Sequence, residues 1–502
     1  MKSIGPVIAN TEGFVISEIF KSISNSIAYI GKDDREIINI HKKLSWLFPK
    51  QKILLFRAWD QIPYDNISPS KEVQTSRIET LNYLNSNKRE KIIILTTINA
   101  IIQKTIPRDE LKKNFIKITK NSKLDINKTI NLLIKLGYER TSIVRDKSEF
   151  AIRGSIIDIF LPQFDKPIRI DLFDSDIESI FEFDPINQQR TNKSDLEHFT
   201  INSSSELIIE EKNLEMFRAN FREKFLDYRK SQVYHLFSEG IIPSGGEQYL
   251  PLFYNKLETI FDYFQNINLI FHHDFNELFQ ERMENLNDYY EARQHSNDNF
   301  YLNPSSLYID KKYFNKSINN FEIIKLSPFY NEGFKSSDIK KINNISSIRK
   351  EIDFKFIKSF FDINSKENTI IICCTSEGSL DKVLKILTSN IYISPIKIKN
   401  NENFFDNKIY ITVLNIEESF KLNNLIYINE KAIFGYSFVV KSSPNKQKQQ
   451  FLFEELNKLS KGSLIVHSDY GVCRFNNIKK IDLNDSIHDC LELEFADNQK
   501  LL

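Results

Sequence analysis

Residues 149–173 read EFAIRGSIIDIFLPQFDKPIRIDLF, two isoleucine-rich runs joined by a short polar turn. Runs of β-branched residues bounded by turn residues are typical of strands, whose side chains alternate between the two faces of a sheet. In the second run, Arg169, Asp171 and Phe173 therefore share one face, and the residues between them form an apolar face. With the following DSDIESIFEFDP, this stretch predicts a small α+β module over residues 121–205.

Each run carries one arginine, Arg153 in the first and Arg169 in the second, with Asp158 and Asp171 nearby. One interpretation is a surface ion pair, which is worth roughly 0–1 kcal/mol. The other is a docking surface for another protein, because a phenylalanine beside an arginine on a solvated face is typical of interface anchors. The residues alone favour neither interpretation, and the register that places Arg153 stays open.

The segments before this module alternate between strand-like and helix-like patterns. Three apolar runs resemble strands: SIAYIG (26–31), KILLFRAW (52–59) and KIIILTTINAII (91–102). Between them, residues 33–48 and 70–86 have helical periodicity. Strands that alternate with helices predict a parallel, doubly wound sheet. Closer to the module, DINKTINLLIKLG (125–137) predicts an amphipathic helix that ends at Gly137.

The C-terminal part of the chain changes in character twice. Residues 340–440 alternate again around the buried run TIIICCTS, which predicts a second, smaller α/β domain. Residues 441–449, KSSPNKQKQ, are polar and basic and predict a linker. Residues 461–502 hold short strands and turns, which predict a small β-barrel. Because the chain stops at Leu502 without a polar tail, we expect an unfinished barrel and a truncated chain or gene fragment.

Composition argues against several classes of protein. A net charge of +1 over 502 residues does not fit a strongly basic nucleic-acid binder. The four cysteines have no CxxC spacing, which predicts a reducing, cytoplasmic location. The N-terminus lacks a signal-peptide core, and no apolar run approaches the roughly 20 residues of a membrane span, so we expect no membrane. We also expect a monomer.

The sequence contains no motif for catalysis, a metal or a cofactor. A phosphate-binding loop needs GxxxxGK[ST], whereas GKDD at 31–34 has acids where the hydroxyl should be. HExxH, GxSxG and DxDxDG are all absent, so we name no catalytic residue. His272 and His273 are expected to point to different faces, which predicts no metal site. The loop RAWDQIPYDNISPSKEVQTSRIETL (57–81) follows a parallel strand, where ligands often bind, although a purely structural loop is the simpler interpretation.

Four strings, in the same order, resemble the bacterial transcription-repair coupling factor family, Mfd, over nearly the whole chain. They are IPYDNISP (62–69) followed by Ser76–Arg77, the segment 149–184, PSGGEQYLPLF (243–253) and IVHSDYGVCRF (465–475). Over 255–440 the resemblance depends on order and length.

The resemblance implies an α/β multidomain fold. The first part would be a UvrB-like module. It would consist of a P-loop-less, degenerate RecA-like parallel-sheet domain with an inserted UvrA-binding α+β domain. A second small α/β domain and a partial SH3-like, CarD-like β-barrel would follow it. The implied boundaries are 1–120 for the degenerate domain, completed by about 295–330, 121–205 for the inserted domain, 206–294 for the continuation of the UvrB-like module, 331–440 for the second α/β domain of unknown role, 441–460 for a linker and helix, and 461–502 for an incomplete RNA-polymerase-interacting domain.

The same resemblance implies partners and a function. The UvrA contacts would fall on Arg153, Arg169 and Phe173. The β subunit of RNA polymerase would pair with a strand edge, at Ile478, Lys479, Lys480 and Ile481. The implied function is transcription-coupled nucleotide-excision repair, with this chain as the adaptor that recruits UvrA to stalled RNA polymerase.

Two departures from the family narrow these expectations. The family's ATP-dependent DNA translocase, with its ATP, Mg²⁺ and most DNA contacts, lies beyond these residues, so we predict a non-catalytic chain without cofactors. A family glycine is Cys473 here, which would cost about 1 kcal/mol if its φ were positive.

The alternative functions are a UvrB-like excinuclease subunit or a DNA helicase, both of which need a P-loop, and a CarD-type regulator, which lacks the upstream residues. The DNA-clamping hairpin of UvrB has no room between Tyr64 and Ser76.

Overall fold

The structure is a computed structural model of the chain. It describes residues 2–86, 90–191, 195–294, 300–329, 338–342, 353–401, 408–435, 462–467, 471–483, 486–494 and 500–501. The chain divides into two compact units, residues 1–438 and 439–502. The predicted linker and helix at 441–460 lie outside the described residues.

The N-terminal segment alternates strands and helices, as its periodicity predicts. In chain order it contains β1 (Lys2–Ile4), α1 (Glu12–Ser22), β2 (Ser26–Gly31), α2 (Asp34–Leu47), β3 (Ile53–Phe56), α3 (Lys71–Asn85), β4 (Ile93–Thr97) and α4 (Ile98–Ile101). Both long helices that follow a strand begin at a capping residue. The Asp33 carboxylate accepts a hydrogen bond from the Glu36 amide, and the Ser70 hydroxyl accepts one from the Val73 amide.

The next segment forms the module predicted around the opening stretch. It contains α5 (Arg108–Lys113), β5 (Phe115–Thr119), α6 (Ile126–Lys135), β6 (Glu139–Arg140), β7 (Glu149–Arg153), β8 (Ile156–Ile159), β9 (Ile168–Phe173), β10 (Asp176–Glu182) and β11 (His198–Asn202). One sheet has the order β10-β9-β8-β7-β6, and β5 pairs with β11. Gly137 ends the α6 segment, because its φ of +86° favours glycine and a Cβ there would lie 2.5 Å from the Ser205 Cβ.

The opening stretch has one more turn than its pattern predicts. Its first isoleucine-rich run is not one strand but two, β7 and β8, which are separated by Gly154 and Ser155. Gly154 adopts a φ of +61°, which a tight hairpin turn requires. The antiparallel register then sets Ala151 opposite Asp158, and Asp158 opposite Arg169.

The following segment returns to the N-terminal sheet and completes it. It contains α7 (Glu211–Lys224), α8 (Gln232–Ser238), α9 (Ile260–Tyr263), β12 (Ile267–Phe271), α10 (Phe275–Gln294), α11 (Pro304–Leu307), α12 (Lys311–Ile318) and β13 (Ile323–Leu326). The sheet has the order β1-β13-β12-β2-β4-β3. All its neighbouring strands are parallel, which confirms the predicted parallel sheet.

A second α/β sheet follows. Its elements are β14 (Ile339–Lys341), α13 (Phe354–Asn364), β15 (Thr369–Cys374), α14 (Glu377–Ile386), β16 (Ile396–Lys397), β17 (Ile409–Val413), β18 (Phe420–Leu422), β19 (Leu425–Asn429) and α15 (Glu430–Phe434). The order is β14-β18-β19-β15-β17-β16. The strands from β19 to β16 are parallel, and β14 and β18 run antiparallel to their neighbours.

The two α/β sheets share one buried core through α1 and α2. Phe14 on α1 packs against Phe420 and Tyr427 of the second sheet, with ring centroids 4.8 Å apart in both pairs. The Trp46 indole N–H on α2 donates to the Thr412 hydroxyl at 3.0 Å. Side chains from β2, β4 and β12 belong to the same buried cluster, so the helices join the two sheets.

Within its described residues, the second unit contains four antiparallel strands in chain order. They are β20 (Leu464–His467), β21 (Gly471–Leu483), β22 (Ser486–Glu494) and β23 (Lys500–Leu501). Cys473 is buried in β21 opposite Ile465, in regular strand pairing, so the cost of a positive φ does not arise. The barrel stays a prediction. None of the described helices combines the length and apolar character that crossing a membrane requires.

Candidate protein-docking site

A fully buried carboxylate lies at the centre of the five-stranded sheet. Asp158 on β8 accepts hydrogen bonds from Arg153 Nη2 on β7 at 2.6 Å and from Arg169 on β9, whose Nε and Nη2 lie 2.6 and 2.9 Å away. We call these three residues the Asp158 clamp. Burial of a carboxylate is costly without partners, and the two arginines provide charge-assisted hydrogen bonds that offset this cost.

The register explains why both arginines reach the same aspartate. Residues that pair directly across antiparallel strands point to the same face, and so do residues two apart along a strand. Ala151, Asp158 and Arg169 form one cross-strand row, and Arg153 is two residues from Ala151. Arg153 therefore shares the face of Arg169 and Phe173, which answers the question that the sequence left open.

The three predicted contact residues differ in exposure. The Arg169 side chain is only 15% exposed, because its guanidinium packs over the Phe183 ring at 4.6 Å and its Nη2 donates to Gln188 at 3.3 Å. The expectation of Arg169 on an open face is therefore wrong, since the segment around Gln188 covers it. Arg153 is 43% exposed and Phe173 is 75% exposed.

Of the two acids near the arginines in sequence, Asp158 is the one that Arg169 binds. Asp171 accepts a hydrogen bond from the Ser179 hydroxyl at 2.9 Å, whereas Arg169 binds Asp158. The pKa of Arg169 is raised above its usual value, chiefly by the hydrogen bond to Asp158. The signal in the sequence was Asp158 itself, a single acid in the alternating run SIIDIF on the strand between the two arginine-bearing strands.

The place where a phosphate-binding loop would lie is occupied by a carboxylate. At the end of β2, Glu36 accepts hydrogen bonds from the Lys32 amide and from the Tyr29 hydroxyl, and Asp33 caps α2. A Cβ on Gly31 would meet Ile37 at 2.8 Å, so the turn is closely packed. Two amides at this helix start, those of Lys32 and Glu36, therefore already donate to carboxylates rather than to a phosphate.

Two further strings of the sequence meet at the edge of the first sheet. The Ser68 hydroxyl donates to Glu247 at 2.8 Å and accepts from the Gly245 amide at 3.0 Å. A Cβ on Gly245 would lie 2.7 Å from the Asp65 carbonyl, and the φ there is +75°. The segments 62–69 and 243–253 therefore hold each other in place, which favours the structural interpretation of this loop.

Arg77 in the same region is a buried structural residue. Its Nε donates to Glu206 at 2.6 Å, its Nη1 donates to the Arg57 carbonyl at 2.8 Å, and its guanidinium lies 4.3 Å from the Phe56 ring centroid. Thr105 also donates to Glu206. This network joins α3 to the segment that leaves the inserted module.

The histidine pair does not point to different faces as expected. The His272 and His273 rings lie side by side with centroids 4.2 Å apart, and His273 Nε2 is 3.0 Å from an Asp274 carboxylate oxygen. Burial lowers the pKa of His272 below its usual value. The three side chains are close enough to share a metal ion geometrically, but each already has a partner within the triplet.

The residues expected to meet RNA polymerase lie in β21. Ile478, Lys479, Lys480 and Ile481 pair with β22, opposite Leu491 to His488. β20 pairs with β21 only from Gly471 to Arg474. Among the described residues, this second half of β21 is therefore paired on one side.

Two protein-family models match parts of this chain. The UvrB interaction domain matches residues 116–207, which include the Asp158 clamp, and the CarD-like/TRCF RID domain matches residues 459–502.

Similar full-length proteins are named transcription-repair-coupling factor. Those of Rickettsia bellii and Haemophilus influenzae are 28% identical over 495 and 517 residues, which cover 97% and 100% of this chain. That of Escherichia coli is 24% identical over 502 residues and 97% of the chain. The chain spans less than half of these relatives, 43% or 44% of their length. Over 97% to 100% of its length, this chain is therefore similar in sequence to transcription-repair-coupling factors.

Proposed function

We propose that this chain is an adaptor in transcription-coupled nucleotide-excision repair. In this proposal the module at 116–207 binds UvrA, and the strands at 459–502 bind the β subunit of RNA polymerase. Two family matches support the proposal, because residues 116–207 match a UvrB interaction domain and residues 459–502 match a CarD-like/TRCF RID domain.

The Asp158 clamp is the observation that carries the UvrA assignment. Asp158 holds Arg153 in a fixed position while leaving nearly half of that side chain exposed. Phe173, on the same face, is 75% exposed. A preorganised arginine near an exposed aromatic ring is the composition of an interaction hot spot. Arg169 then acts as a positioning residue, because its two hydrogen bonds hold the Asp158 carboxylate in place.

A calorimetric titration with purified UvrA tests this assignment. Arg153→Ala and Phe173→Ser should each weaken binding by about 1–4 kcal/mol and leave the fold intact. Arg140→Ala and Phe115→Ser are matched controls, because both residues are exposed in the same module. Arg140 pairs across β6 and β7 with the buried Phe150, and Phe115 lies in the other sheet of the module. Unchanged affinity in both test variants would refute the assignment.

Among the described residues, the second half of β21 is paired on one side only. This supports the polymerase assignment, because the other side of such a strand can accept a strand from a partner. Ile481→Arg in the full-length protein should abolish a two-hybrid signal with the polymerase β subunit. Leu464→Arg is the control, since Leu464 is exposed on β20, away from that half of β21. A retained signal in Ile481→Arg would exclude this strand as the contact.

The alternative function, a UvrB-like excinuclease subunit or a DNA helicase, needs ATP hydrolysis by these residues. Glu36 at the start of α2 disfavours it, because a carboxylate at that position repels a nucleotide phosphate. We propose that residues 1–502 hydrolyse no ATP, and an ATPase assay on this chain should read background. Hydrolysis that Glu36→Ala changes would favour the alternative.

A further inference from the structure

A basic cleft lies between one face of α2 and the second α/β sheet, in a region for which the sequence predicted no role. Its volume is about 1070 Å³. One wall is a single stripe of α2 that includes Arg35, Ile38 and Lys42, spaced as residues on one helical face. The other wall consists of segments that follow β15, β16 and β17, including Lys399 and Glu417.

The charges of the basic cleft are not balanced. Arg35, Lys42 and Lys399 are exposed, and within the described part of the chain none of them forms an ion pair or hydrogen bond. Lys43 also lines the cleft, but its ammonium donates to the Asn10 carbonyl at 2.6 Å. Among the described lining residues, Glu417 is the only carboxylate. Unpaired cations around a cavity attract an anionic ligand.

The walls of the basic cleft are fixed relative to each other. The Trp46 indole on α2 donates to Thr412 on β17 at 3.0 Å, and the Asn401 amide donates to the Trp46 carbonyl at 3.0 Å. The cleft also opens at the carboxyl ends of the parallel strands β15 and β17, the edge where α/β sheets bind ligands. The backbone positions that carry the cations are therefore set before a ligand arrives.

The size and lining of the cleft indicate the class of ligand. A cavity of about 1070 Å³ is far larger than an inorganic anion and matches the upper range of organic-ligand sites. Ile38, Pro49 and Leu414 add apolar surface beside the cations. We propose that the basic cleft binds a nucleotide through its phosphates, either free or within a single strand of nucleic acid. Arg35, Lys42 and Lys399 contact the phosphates, and the apolar residues contact the sugar or base.

This site is separate from the proposed adaptor function. None of its residues belongs to the Asp158 clamp or to β21. UvrA titrations of cleft variants should therefore match those of the wild-type chain, so that failure of one proposal leaves the other standing.

Fluorescence-polarisation binding with two probes tests the proposal and distinguishes the two sources of phosphate. One probe is a labelled nucleoside triphosphate, and the other is a short labelled single-stranded oligonucleotide. Arg35→Glu and Lys399→Glu should each lower the affinity for the probe that binds by about tenfold or more, since each removes a charge-assisted contact. Lys358→Glu is the matched control, because Lys358 is exposed on α13 and does not line the cleft. Circular dichroism checks that each variant is folded.

Binding of the triphosphate alone would identify a free nucleotide as the ligand. Binding of the oligonucleotide, with a slope of affinity against salt that falls by about one per removed cation, would identify a nucleic-acid strand. Absence of binding by both probes would overturn the proposal. Equal losses in Lys358→Glu and Arg35→Glu would overturn it too, because binding would then depend on overall charge.

Discussion

Arg169 binds both carboxylate oxygens of Asp158, at 2.6 Å to Oδ1 and 2.9 Å to Oδ2. Asp158 is 0% exposed, and this contact and the one from Arg153 are hydrogen bonds that its buried carboxylate accepts. The two arginines are not equivalent, since Arg169 is largely enclosed and Arg153 reaches the surface. Removal of Arg169 should therefore mainly lower the stability of the fold, and removal of Arg153 should mainly lower the affinity for UvrA.

We expect Arg169→Ala to lower the free energy of unfolding by about 3 kcal/mol, because it leaves a buried carboxylate with one partner. Arg153→Ala should cost less than about 1 kcal/mol, since its side chain is exposed to solvent. Urea unfolding of both variants measures the difference. Asp158→Asn in the Arg169→Ala background should recover part of the loss, and no recovery would contradict a charge-based cause.

The buried pair of Arg77 and Glu206 should be among the most sensitive contacts of the chain. Arg77→Ala should lower the free energy of unfolding by about 3–5 kcal/mol, because Glu206 would keep a buried charge. Arg77→Lys should rescue only partly, since lysine lacks the planar fork that also covers the Phe56 ring. Arg140→Ala, at an exposed position, is the control for urea unfolding. Full rescue by lysine would show that charge alone matters.

Gly245 and Gly240 offer a matched pair for the docking of segment 62–69. Both have positive φ, +75° and +78°, but only a Cβ on Gly245 would meet neighbouring atoms, at 2.7 Å from the Asp65 carbonyl. Gly240→Ala should cost about 1 kcal/mol through its backbone conformation. Gly245→Ala should cost at least about 1 kcal/mol more, because overpacking adds to the same strain. Thermal unfolding compares them, and equal losses would mean that the loop can move aside.

Lys43 should give the chain a specific pH dependence. Burial lowers the pKa of Lys43 to about 8, from an ordinary 10.5. Between these values the unfolded state holds the proton and the folded state does not, so stability rises with pH across this window and is reduced below it. The unfolding free energy of the wild type, minus that of Lys43→Met, should rise by roughly 2–4 kcal/mol from pH 7.5 to 10.5. Parallel curves for the two proteins would contradict this.

Local patterns predicted the elements that depend on local physics. The alternation before residue 102 indicated the parallel strands, and Gly137 marked the end of α6 because a φ of +86° favours glycine. The alternation of Arg169, Asp171 and Phe173 indicated their common face.

Contacts between distant segments were not predictable in the same way. The partner of Arg77 lies 129 residues away, and no periodicity joins the two positions. The enclosure of Arg169 depends on Gln188, whose segment has no strand or helix pattern of its own. The place of Asp158 required the turn at Gly154, which the isoleucine run concealed. The side-by-side His272 and His273 rings lie beyond the end of β12, where strand alternation stops applying.

The aromatic packing of Phe14 between the two α/β sheets has a practical consequence for dissecting this chain. Phe420 and Tyr427 bury their rings against α1, so a fragment cut to contain only the second sheet would present those rings to water. Such a fragment would tend to self-associate, however well its own strands pair. We therefore expect the second sheet to behave best when it is produced together with α1 and the first sheet.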